Sequence, residues 1–238
     1  MLPLWRDAAA GIQVVRLDGS EKTRLTPLLG LFREVASEEG WEPGSALEPC
    51  CRRSVYFALY AEGQLAGGLQ LTLPDGPGML PCFELWPEVG SCLRSSRDNH
   101  CAHVTMLALH PAFRGQGLLF WHLVVEMWRY CVGEGVATLF IEVTPRVLPL
   151  YRRLGWPLVV RGERKVHWGE ECYLCTLGIA DVARALLLRA EHSRYYRQIV
   201  AQAFRVTRPV VRQSTRTTRT TRTRAATSVG EAAGANAV

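Results

Sequence analysis

The stretch Leu109-His110-Pro111-Ala112-Phe113-Arg114-Gly115-Gln116-Gly117-Leu118-Leu119 combines residue types that can hold a phosphate. Gly115 and Gly117 let the backbone turn tightly and come close to a ligand. The apolar run from Gly117 to Val132 that follows reads as a helix. The first N–H groups of a helix have no partner inside it, and its dipole puts partial positive charge there. A glycine loop that runs into a helix start is therefore suited to a pyrophosphate. Arg114 adds a fixed charge with donors that match phosphate oxygens. The same two glycines would also serve a strand-to-helix turn with no ligand.

Two other patterns invite chemistry. Cys172-Tyr173-Leu174-Cys175 has the spacing of half a zinc site, but such a site takes about four ligands and Cys50-Cys51 is the only complement. Residues three apart in a strand point to opposite faces, so these two thiols should not chelate together. No metal is expected. The run from Arg212 to Arg224 alternates arginine with threonine and would meet phosphates, on nucleic acid or an anionic membrane, without sequence specificity. It has no aromatic residue for base stacking, and a solvated tail with no partner fits it as well.

Composition places these features. Seven of the 28 basic residues and one of the 22 acidic residues lie from Arg205 onward, so residues 1–204 carry 21 of each and the surplus of +6 belongs to the tail. Hydrophobic residues make up 48% of the chain, enough for residues 1–204 to bury one core without disulfides. The N-terminal residues Met1 to Asp7 do not read as a secretory signal, and no segment reads as a membrane span. A cytoplasmic protein with reduced thiols is expected.

The positioning elements follow from periodicity. Ile12 to Leu17 reads as a strand, and Glu21 to Glu39 as a helix with weak first turns at Pro27 and Gly30. Ser54 to Ala61 and Gln64 to Leu73 read as a hairpin around Glu62-Gly63. Pro74 to Asp98 reads as a long proline-rich connection. His103 to Leu109 and Ala137 to Val143 are buried strands on either side of the Gly117 helix, a βαβ unit with parallel neighbours. A short helix from Leu148 ends at Gly155, strands follow near Leu158 to Gly162 and Cys172 to Ile179, and a helix runs from Ala180 to about Phe204.

On these residues the chain resembles the GNAT superfamily of acyltransferases. Pro111, Arg114, Gly115, Gly117 and Leu118 match its strand, Pro, Arg-Gly-x-Gly, Ile/Leu, helix pattern in order and spacing. Leu150-Tyr151-Arg152-Arg153-Leu154-Gly155-Trp156 matches its later Tyr and Leu-Gly-Phe or Leu-Gly-Tyr step. The resemblance implies an α+β GNAT fold over residues 1–204, a central mixed sheet flanked by helices, with residues 205–238 a disordered basic tail. It implies acyl-CoA, carrying an acetyl or longer group, as cosubstrate. The backbone of Leu107, Ala108 and Leu109 would pair with the pantetheine arm, and Arg114, Gly115, Gln116, Gly117, Leu118 and Leu119 would hold the pyrophosphate. Tyr151 would protonate the leaving thiolate. Leu119 stands where the family has Gly or Ala, and Thr144 where it often has Asn.

A smaller set of residues resembles one branch, the autoinducer (acyl-homoserine lactone) synthases and N-acyl amino acid synthases. Glu39-Gly40-Trp41, Gly67-Gly68-Leu69-Gln70-Leu71, Gly76 to Phe83 and His103 to Leu109 carry it. Gln70, His103 and Met106 stand where that branch has Arg, Glu and Arg, so a different acceptor is implied. The donor would be acyl-CoA or acyl carrier protein, and the acceptor a small amine. Attack by an amine needs a base, for which His103, titrating near neutral pH, comes first and Glu142 on the adjacent strand second. Glu84, Gln70 and Trp41 are candidate acceptor-binding residues. The expected function is N-acyl transfer. The alternatives are a fold that binds acyl-CoA without turnover, or a tail that binds nucleic acid or an anionic surface.

Overall fold

The computed structural model describes residues 11–42, 53–75, 79–96 and 100–203. The Arg/Thr tail, Cys50-Cys51 and Gly76-Pro77-Gly78 lie outside them.

Strand β1 (Ile12–Asp18) leads into helix α1 (Lys22–Glu39), then strands β2 (Ser54–Ala61) and β3 (Gln64–Thr72). The β2–β3 turn places Glu62 at φ 52° and Gly63 at φ 79°, the left-handed pair that matches the twist of a two-residue hairpin. Helices α2 (Cys82–Leu85) and α3 (Pro87–Ser96) occupy the segment read as a bare connection. They form because Leu80, Cys82, Phe83 and Trp86 bury their side chains together, a tertiary gain that outweighs the local signal of the prolines. Strand β4 (Cys101–Leu109), helix α4 (Gly117–Gly133) and strand β5 (Thr138–Val143) are the expected βαβ unit.

Helix α5 (Leu148–Arg153) precedes strands β6 (Val159–Val160), β7 (Lys165–His167) and β8 (Glu170–Gly178). The β7–β8 turn repeats the mirror-image geometry, with Trp168 at φ 53° and Gly169 at φ 86°. The final helix expected from Ala180 to Phe204 is two, α6 (Ile179–His192) and α7 (Arg194–Ala203), because Ser193 is extended at φ −136° and ψ 121°. The break lets α7 contact α4 while α6 packs on β8 and α4.

The strands run β1-β2-β3-β4-β5-β8-β6 across one mixed sheet, with β7 paired to β8. Among the described residues only β4 and β5 pair in parallel. One face carries Phe57, Leu59, Leu69, Leu71, Val104 and Ile141 against α4 and α6. The other carries Tyr56, Ala58, Met106 and Ala108 against α1. Gly68 permits that second contact: a Cβ there would lie 2.1 Å from Cδ1 of Leu28 and 3.0 Å from the carbonyl oxygen of Phe57, so a side chain there would force Leu28 to repack.

Two irregularities in β4 shape the centre. Its pairing with β3 skips Thr105, since Gln70 faces Met106 while Leu71 faces Val104. This bulge exchanges the faces of the strand, so that Val104 and Leu107 share one side and His103 and Met106 the other. The parallel pairing with β5 ends at Val104 and Ile141, after only four residue pairs. Beyond that point β4 and β5 separate.

Candidate active site

A cavity of about 170 Å³ opens where β4 and β5 part. Strand alternation determines what lines each side. On the α4 side the walls are Leu69, Val104, Met127, Ile141, Tyr151 and Trp156; on the α1 side they are Trp41, Met106, Glu142, His167, Trp168 and Glu170. The cavity thus crosses the sheet, apolar on one side and polar on the other.

Glu142 is the centre of the polar side. It is the penultimate residue of β5, its side chain 13% exposed. Nδ1 of His167 hydrogen-bonds to Oε2, and Nε2 of His103 approaches Oε1 to 3.3 Å. Burial alone would raise the pKa of Glu142, but its contacts with the two histidines lower it from 4.5 to about 2. The His167 contact carries the firmer part of that lowering, because the His103 approach lacks hydrogen-bond alignment and leaves both its ring nitrogens and Oε1 without partners. His103 is 1% exposed and stands behind Glu142, outside the cavity lining. Glu142 and His167 face the cavity directly.

His167 was absent from the sequence reading. Its signal was the step His167-Trp168-Gly169-Glu170, a two-residue turn between short strands. The turn places Trp168 6.4 Å from Trp41, ring centre to ring centre, and Nε1 of Trp41 donates to Glu170 at 2.9 Å. Trp41 therefore does reach the polar side. Gln70 is 2% exposed and lies outside the lining, donating to Ser54 at 3.4 Å in a buried chain that continues through Thr72 to Thr105. Glu84 is on the exposed side of α2 and does not line the cavity.

On the apolar side, α5 ends at Leu154 and Gly155 adopts φ +88°. The turn brings Trp156 back over Tyr151, with ring centres 4.9 Å apart and planes 8° from parallel. Burial pushes the Tyr151 phenol up to about 12, so it stays protonated at any ordinary assay pH. Nε1 of Trp156 and Oγ1 of Thr144 are buried with no hydrogen-bond partner among the described residues, and leaving such a group unpaired costs about 1–3 kcal/mol.

The glycine loop lies at the end of β4. Gly115 has φ +82°, and no side chain caps α4, whose first residue is Gly117. Leu118 is half-buried beside it. Leu119 is 2% exposed in the core, so its side chain points away from the loop and only its backbone is near. Arg114 is engaged by acids: its guanidinium lies 2.7 Å from Glu38 and 3.3 Å from Glu39 at the end of α1. Gln116 is exposed at the helix start. Leu107, Ala108 and Leu109 follow the point where β5 leaves β4, so their edge on that side has no strand neighbour among the described residues.

Cys172 and Cys175 do fall on opposite faces, one in the cluster around Trp86 and the other under α4. Burial pushes them up to about 12 and about 11, so both are thiols rather than nucleophilic thiolates. Cys172 instead joins Glu142 and His167, their ligand atoms all within 4.8 Å of one another. That donor set suits a borderline divalent ion such as zinc, though an ion there would replace the hydrogen bond between Glu142 and His167.

The family model of the N-acyl amino acid synthase FeeM matches residues 51–177. No curated protein sequence matches the chain. Among solved structures, FeeM, an N-acyl amino acid synthase from uncultured soil microbes, superposes with a TM-score of 0.59 at 15% identity, covering 76% of this chain and 99% of that one. The acyl-homoserine lactone synthase LasI superposes at 0.57 with 18% identity, over 71% and 90%. The CoA-dependent acyl-homoserine lactone synthase BjaI, solved with SAM and isopentyl-CoA, superposes at 0.57 with 14% identity, over 81% and 89%.

Proposed function

The chain belongs to the family of the N-acyl amino acid synthase FeeM, and from that premise we propose that it moves an acyl group from CoA to a small amine within the cavity that crosses the sheet. The fold is that of the GNAT acyltransferases, as expected. The observation that carries the proposal is the end of parallel pairing at Val104 and Ile141, which opens a passage with chemically opposite sides.

The donor lies along the open edge of β4 at Leu107 to Leu109, with its pyrophosphate against Gly115 to Leu118 and the uncapped start of α4. A CoA donor is favoured because that cradle suits a pyrophosphate, which a carrier-protein arm lacks; BjaI, a relative in fold, is CoA-dependent. The acyl chain occupies the apolar side between Leu69, Met127 and Trp156. The amine approaches past Trp41 and Trp168 and gives up a proton to the pair formed by Glu142 and His167. His103 positions Glu142 from behind, in place of the direct role first assigned to it. Tyr151 protonates the departing thiolate.

Thiol release measured across a panel of acyl-CoAs and amines tests this. Amine-dependent release that disappears in Glu142→Gln is expected. Tight CoA binding with no release for any pair would overturn it.

A further inference from the structure

The scheme above leaves two hydrogen-bonding groups of the cavity lining unused. The indole N–H of Trp156 and the hydroxyl of Thr144 are buried, both residues line the cavity, and neither atom has a partner among the described residues. Trp156 is 4% exposed. Native interiors pair nearly all such groups, so an unpaired donor in a cavity wall points to a ligand that completes it.

The indole is held where it stands. The backbone N–H of Trp156 donates to the carbonyl of Tyr151 at 3.1 Å, closing the end of α5. The ring lies against Tyr151, Phe120 stacks on it at 5.7 Å, and Trp121 meets it edge-on at 6.3 Å. A ring packed this way cannot swing to find another acceptor. Packing alone would be met by Phe or Tyr. Tryptophan adds one thing to the cavity wall, a fixed N–H. Thr144 adds a second donor at the end of β5, two residues beyond Glu142.

We propose that the Trp156 N–H, with the Thr144 hydroxyl, donates hydrogen bonds to the thioester carbonyl oxygen of the donor. This rests on the acyl-transfer reading. The neutral amine attacks the carbonyl carbon, a C–N bond forms, and the carbonyl π pair moves onto oxygen. That oxyanion is the charge the two donors meet, and fixed donors at such a point act most strongly in the transition state. Collapse restores C=O and breaks C–S. The thiolate takes the Tyr151 proton, the nitrogen loses one of its two protons to the Glu142 and His167 pair, that proton returns through solvent to the Tyr151 phenolate, and the products are an amide and free CoA thiol.

The test is Trp156→Phe, which keeps an aromatic ring in the stack and removes the N–H. It is read by kcat and by binding of two inert CoA analogues of matched chain length: a thioether without a carbonyl, and a ketone in which methylene replaces the thioester sulfur. A fall in kcat of about a hundredfold is expected, with weaker binding of the ketone and unchanged binding of the thioether. Unchanged kcat would overturn the proposal, and equal loss on both analogues would reduce Trp156 to packing. If Trp156→Phe does not fold, Thr144→Val carries the same test, with about a tenfold fall in kcat and the same split between analogues; no fall or no split overturns the proposal. Wild-type protein that releases no thiol would defeat the acyl-transfer reading itself, an outcome distinct from an active enzyme indifferent to Trp156→Phe.

Discussion

Glu142 accepts a hydrogen bond from Nδ1 of His167 across the cavity mouth, joining strands that are neighbours only through β8. In the proposed reaction this pair accepts the proton of the amine, and it has a signature in stability. The carboxyl is held near pKa 2 against an ordinary 4.5. A group depressed on folding stabilises the native state above its unfolded value and loses that contribution as pH falls through the folded one. Denaturant unfolding of wild type and Glu142→Gln should therefore converge between pH 4.5 and about 2. The gap above pH 5 should be about 1–3 kcal/mol. A gap that does not change with pH would mean that the carboxylate is not ion-paired.

His167→Asn and His103→Asn should separate the roles of the two imidazoles. His167 lines the cavity and His103 does not. Loss of His167 should lower kcat/KM for the amine by about a hundredfold. Loss of His103 should lower it less, because Glu142 and His167 still receive the proton. Equal losses would assign the proton to His103 after all.

Tyr151→Phe should slow turnover by roughly a hundredfold with thioesters of alkyl thiols. The deficit should shrink with aryl thioesters, whose thiolates leave without a proton. A phenol held at about 12 remains an acid through the alkaline range, so the wild-type rate should show no Tyr151 limb below pH 10. An equal deficit for both leaving groups would make Tyr151 a packing residue.

How much of this could be read from the sequence depended on whether the signal was local. The Gly115 and Gly117 loop, the βαβ unit and the Glu62-Gly63 hairpin are written in adjacent residues, and each stands where periodicity and turn chemistry placed it. The cavity is not local. It arises from the Thr105 bulge and the early end of pairing at Val104, which depend on two partner strands at once. His167 was missed because β7 is three residues long, too short for periodicity to register. Helices α2 and α3 were hidden by prolines that local rules read as loop. Leu119 looked like an obstacle to phosphate only because the sequence does not say that its side chain turns into the core.

The donor loop predicts a dependence on acids as well as on arginine. Arg114 is bound to Glu38 and Glu39 across to α1. In the proposed donor site its charge would be shared with, or moved to, the donor phosphates. Arg114→Ala should weaken CoA binding by about tenfold in calorimetry, a loss that fades at high salt. Glu38→Gln should tighten binding by a few fold, since exposed pairs of this kind are worth under about 1 kcal/mol. CoA binding indifferent to both changes would remove Arg114 from the donor site.

Acyl length should be set by Met127. It is 3% exposed and forms part of the apolar wall opposite the split. The whole cavity, about 170 Å³, is close in size to one of about 150 Å³ that accepts benzene, and the acyl chain shares it with the amine, so it takes a chain shorter than about six carbons. Each methylene buried contributes about 0.8 kcal/mol, about fourfold in affinity. Met127→Ala opens the wall and should move the best donor to chains about two or three carbons longer, with kcat/KM rising about fourfold per methylene until the new space is filled. The same change should destabilise the fold by about 2–5 kcal/mol, measured without donor, and less when a longer acyl-CoA fills the space. A chain-length profile identical to wild type would put the end of the acyl site elsewhere in the cavity.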